Sequence, residues 1–86
     1  MYIIKKHYEA TESNKNFANE THDWYFGKGH TALSEMNEFP TEWMIKEYGY
    51  KTIASAQSGM KSAKRLADWE AGHGNWNIIV ELVKVD

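Results

Sequence analysis

The chain has 86 residues, a formal net charge of −2, four Trp, five Tyr, three Phe and no Cys. Without cysteine there is no disulfide framework, cysteine-held metal or thiol nucleophile, and the slightly acidic balance gives no bulk attraction to nucleic acid. A chain this long buries somewhat over about 60% of its unfolded surface, so one compact α+β domain over residues 1–86 is expected.

Tyr2 to Glu9 reads as a strand, with Tyr2, Ile4 and Tyr8 on one side and Ile3, Lys5 and His7 on the other. The wetter second side places it nearer a sheet edge. Residues 10 to 21 are polar, with Asn14, Asn16 and Asn19, and lead into a second strand around His22 to Phe26, so the two predict a hairpin. Gly27-Lys28-Gly29-His30 ends that strand, and residues 31 to 40 form an acidic loop closed by Pro40.

From Glu42 to Tyr50, Trp43, Ile45, Tyr48 and Tyr50 suit a strand. The alternative is a short helix capped by Thr41 and ended by Gly49. A long helix then runs from Ile53 to Ala71 behind Thr52 as N-cap. Ile53, Ala56, Met60, Ala63 and Ala67 share one face; Gly59 and Leu66 lie on its edge, and Gln57, Lys61, Lys64, Arg65 and Asp68 point away. A stripe this small lets the helix approach a sheet closely, provided the sheet supplies the bulk. Gly72 and Gly74 break the chain before a last strand, Asn75 to Val85. That strand places Trp76, Ile78, Val80 and Leu82 on one face and Asn77, Ile79, Glu81, Val83 and Val85 on the other. Apolar residues on both faces suggest a central position. The expected order is β-β-β-α-β: a mostly antiparallel sheet of three to four strands with one long helix on one face.

One helix covers one sheet face. Ile3, Ile79, Val83 and Val85 would then leave an apolar patch on the other, to be covered by a loop, a second copy in a homodimer, or another protein. Trp69 lies off the stripe, near Ser58, Ser62 and Arg65, and interface anchors are rich in Trp and Arg. Residues 9 to 47 carry eight acids, Glu35 and Glu38 among them, against three lysines, a charge suited to a basic partner surface. The partner-binding candidates are therefore Trp69, Arg65, Lys61, Ile79, Val83, Val85, Glu35 and Glu38.

A weaker alternative is nucleic-acid binding by Lys28, Lys51, Lys61, Lys64 and Arg65, with the Trp24-Tyr25-Phe26 run for stacking. Adjacent strand residues point to opposite faces, so that run does not form one platform. Gly27-Lys28-Gly29-His30-Thr31 is similar to the end of a phosphate-binding loop but lacks the upstream glycine and the hydroxyl directly after the lysine. His7, His22, His30 and His73 have no metal-ligand spacing, even with Glu20 or Asp23 nearby. Ser13, Ser34, Ser55, Ser58 and Ser62 sit in no nucleophile motif. No catalytic residue, metal or cofactor is expected, and a small enzyme or ligand-binding domain would need a deep pocket that the small-residue helix disfavours.

No run approaches the roughly eighteen apolar residues of a membrane span, and Tyr2-Ile3-Ile4 is too short for a signal-peptide core. With the absence of cysteine this predicts a cytoplasmic protein. Compactness, aromatic richness and the strand-helix-strand ending are similar to short accessory proteins encoded by bacteriophages and other mobile elements. Such a resemblance implies a chain that occludes or modulates a larger protein.

Overall fold

The computed structural model describes residues 1–11, 21–28, 39–72 and 76–85. Strands β1 (Tyr2–Ala10) and β2 (Thr21–Phe26) form the antiparallel hairpin, in register from Ile4 opposite Phe26 to Glu9 opposite Thr21. Strand β3 (Trp76–Lys84) pairs antiparallel with the other side of β1, from Tyr2 opposite Lys84 to Ala10 opposite Trp76. The order β2-β1-β3 makes β1 the centre of the sheet and β3 an edge, the reverse of the expectation from their apolar content. The signal that identifies the centre is Ile3-Ile4. These neighbours point to opposite faces and both are fully buried.

The segment that aromatic and β-branched content favoured as a strand is instead helix α1 (Glu42–Tyr48). Local capping outweighs β propensity there. The Thr41 hydroxyl accepts from the Met44 amide at 3.1 Å, Glu42 occupies the first turn, Lys46 the last, and the Gly49 amide closes the helix on the Ile45 carbonyl. Of this segment, Tyr50 is the residue that pairs with the sheet, exchanging two backbone hydrogen bonds of 2.8 and 2.7 Å with Tyr2. Because β3 occupies the other side of Tyr2, this bridge continues the β2 side beyond Phe26. Gly27 makes the junction possible, since a Cβ there would run into the Tyr48 carbonyl oxygen, while the Lys28 amide donates to that oxygen at 2.7 Å.

Helix α2 (Ile53–Ala71) has the bounds its sequence predicts, with the Thr52 hydroxyl accepting from the Ser55 amide at 3.2 Å. It lies mainly over β3 and also over β1. Ala56, Ala63 and Ala67 are buried, and the core joins Ile4, Phe26, Tyr50, Ala56 and Ala63, with Tyr2, Met60, Val80 and Leu82 packed against them. Gly59 permits the close approach: a Cβ there would run into the Tyr50 hydroxyl and come within 3.2 Å of Ile4 Cδ1. Ile53 departs from the expected stripe. As the first helical residue it is 50% exposed, outside the core.

Candidate protein-binding surface

The three buried alanines fix how α2 is rotated about its axis, and the rest of its surface follows at about 100° per residue. One flank, with Gly59 and Glu70, faces Tyr50 and β1. There Lys6 Nζ donates to Glu70 Oε1 at 3.0 Å, and the Tyr8 hydroxyl donates to Oε2 at 2.8 Å. Lys6 is only 1% exposed and also lies 5.8 Å from the centroid of the Phe26 ring. Burial first, and then the hydrogen bond to Glu70, push the Tyr8 phenol well above its ordinary range, so it stays a donor. The last turn of α2 contains no basic residue. Lys6 therefore brings a cation from β1 toward the negative end of the helix.

Since the β1 side is taken by that flank, the opposite one lies toward the outer edge of β3. Gln57, Met60, Lys61 and Lys64 overhang Leu82 there and bound an open hollow of about 450 Å³. Lys61 and Lys64 are exposed, as is Lys84 on the helix side of β3. Asp68 closes this basic flank at its C-terminal end, and Glu81 points to the other sheet face. Among the described residues no strand pairs with the outer edge of β3.

The candidate partner-binding residues fall on two opposed surfaces. Lys61, Arg65 and Trp69 follow at i, i+4 steps along the outward row of α2, and Trp69 is 67% exposed. Ile79 and Val83 belong to the sheet face turned away from α2, where Ile79 is 49% exposed and Val83 half-buried. Half-buried Val85 lies beyond β3, its amide donating to the Met1 carbonyl at 2.8 Å. Ile3 is fully buried, so among the described residues Ile79 is the exposed apolar member of this face, beside half-buried Val83 and Val85. Glu35 and Glu38, together with His30, His73 and most of the acidic loop, lie outside the described residues. The nucleic-acid set is divided as well. Lys28 sits beside Tyr48 and Lys51 follows Tyr50 on the β2 side, whereas Lys61 and Lys64 overhang β3.

The sheet face away from α2 is polar along its middle. His7 Nδ1 lies 2.6 Å from Asp23 Oδ1 and Nε2 3.1 Å from Glu9 Oε1, while Lys5 Nζ lies 3.9 Å from Asp23 Oδ2. These contacts, the Asp23 hydrogen bond foremost, raise the His7 pKa, because both carboxylates favour the protonated ring, which can donate from both nitrogens.

Two features have no counterpart in the sequence reading. The pairing of Lys6 with Glu70 is one, although Lys6 alternates with Ile4 and Tyr8 and its inward direction was derivable. The other is a hollow of about 590 Å³ lined by Met1, Glu42, Trp43, Ile45 and Lys46, where exposed Trp43 packs edge-on to Tyr48 at 5.5 Å.

No helix among the described residues is long and apolar enough to cross a membrane. No protein-family model, curated protein or solved structure matches the chain.

Proposed function

We propose that this chain is a small non-enzymatic protein-binding domain, accessory or inhibitor-like, which engages a larger protein through the side formed by α2 and β3. The observation that carries the reading is the edge of β3, nine residues long and without a neighbouring strand among the described residues. An open edge offers a row of backbone donors and acceptors, and soluble proteins usually shield such edges because they invite pairing. Here Lys61 stands exposed on the flank above it and Ile79 below, while Arg65 and Trp69 continue the outward row of α2, a mixture of aromatic, cationic and aliphatic groups suited to anchoring a protein surface.

The test is capture from an extract of the source cells on the immobilised chain, followed by amide hydrogen exchange on the isolated complex. The reading expects a retained protein and slowed exchange in Trp76–Lys84 and on the outward row of α2. Retention of nothing beyond control resin, or protection confined to the polar middle of the opposite sheet face, would overturn it.

A further inference from the structure

Resting on that reading, we infer that the hollow between α2 and β3 takes one class of occupant: an extended segment of another protein, carrying alternate apolar side chains next to a run of aspartate or glutamate, added as a fourth strand on β3. Three observations meet at this place. The β3 edge has no strand beside it among the described residues, so an extended backbone can pair with it. The adjoining hollow of about 450 Å³ has Met60 and Leu82 in its lining, which suits an aliphatic side chain of the added strand that points toward α2. The rim is cationic: Lys61 and Lys64 overhang the hollow and Lys84 ends the strand on the same face.

Charge selects among occupants. Among the described residues the acids nearest this place are Asp68, one turn beyond Lys64 on the same flank, and Glu81, on the other sheet face, so the lysines outnumber the acids above the edge and favour acidic residues flanking the apolar positions. A second copy of this chain fits poorly. Antiparallel pairing of two β3 strands about Val80 aligns Ile78 with Leu82, but it also sets the Lys61 and Lys64 of one copy against the same lysines of the other across the two-fold axis. Like charges brought together in this way select against self-pairing.

The test titrates a synthetic ten-residue peptide, with Val or Ile at three alternate positions followed by three Asp or Glu residues, into the uniformly ¹⁵N-labelled chain. The expected result is amide shifts concentrated in Trp76–Lys84 and around Gln57–Lys64. Affinity is expected to fall at least about tenfold for Lys61→Glu with Lys64→Glu, two exposed positions whose effect on folding is checked by circular dichroism. A peptide methylated on alternate backbone nitrogens, unable to complete the ladder, is expected to lose binding, which tests strand addition without altering the protein. Equal binding of a peptide with lysines in place of its acids, equal binding of the methylated peptide, or shifts located elsewhere would overturn the proposal. The same shifts from a twelve-nucleotide single-stranded DNA would replace it with nucleic-acid binding, and a dimer in light scattering that disappears when β3 is altered would replace it with self-pairing. Peptide failure is distinguishable from failure of the broader reading: a protein retained equally by wild type and by the double lysine variant removes the acidic peptide and leaves protein binding standing.

Discussion

Replacing Glu70 by leucine tests the buried ion pair directly. Lys6 has almost no contact with solvent, and its ammonium meets Glu70 at 3.0 Å, so Glu70→Leu leaves a buried cation without its counterion. Breaking such a pair costs about 3–5 kcal/mol. The Glu70 side chain is itself 21% exposed, which lets water reach the vacated position, and the lower end of that range applies. Tyr8 also loses its acceptor, a loss that is not independent of the first. We therefore expect a total of about 3 kcal/mol, set against a total stability of roughly 4–13 kcal/mol for a chain of this size. Urea unfolding followed by tryptophan fluorescence reads this as a midpoint lowered by about 1–3 M. The decisive comparison is the triple variant Lys6→Met, Tyr8→Phe, Glu70→Leu, which removes every polar member together and is expected within about 1 kcal/mol of wild type. A Glu70→Leu loss below about 1 kcal/mol, or a triple variant as unstable as the single one, would refute the reasoning.

Gly59→Ala sets helix propensity, a gain of about 1 kcal/mol, against collision with the Tyr50 hydroxyl and Ile4, and overpacking of about 1–3 kcal/mol wins; an unfolding midpoint at or above wild type would show that the ring yields. The His7 pKa is raised in the folded chain, so its stabilisation is full below the unfolded value near 6.5 and is lost as pH rises through the folded value; stability of wild type relative to His7→Gln should decline across that interval, and a flat difference would contradict the pairing with Asp23 and Glu9. Thr52→Ala removes the α2 cap and should cost about 1 kcal/mol in the same urea assay. Trp69→Ala should weaken capture of the partner while changing stability by less than about 1 kcal/mol; an equal loss of both would mark Trp69 as structural.

The long helix was legible because its signals agree: Thr52 caps it, Ala56, Ala63 and Ala67 repeat at helical spacing, and Gly72 ends it. Residues 42 to 48 were not, because composition and capping disagree there, and a cap is worth about as much as the whole spread of strand preference. Strand order was hidden for a different reason. β3 carries apolar residues on both faces like a central strand, yet Ile79 is half in solvent, and nothing local says which neighbour β1 will take on each side. The candidate surface was legible residue by residue but not as a whole. Periodicity places Lys61, Arg65 and Trp69 on the outside of α2, whereas which flank overhangs the open edge depends on contacts between Glu70, Lys6 and Tyr8 across more than sixty residues of chain.

Those contacts link the core to the binding side. With the alanines pressed on the sheet, α2 could still roll by some tens of degrees, because small side chains define a groove loosely. Gly59 against Tyr50 and Glu70 against Lys6 and Tyr8 act at two points about sixteen ångströms apart on the same flank, at 1.5 Å per residue, and oppose that roll. The position of Lys61 and Lys64 over β3 is the mirror consequence. The triple variant that restores stability by removing the polar contacts should therefore keep the fold and loosen the helix, so that the acidic peptide binds it more weakly than wild type at equal thermal stability; unchanged affinity would mean that the alanine stripe alone sets the helix.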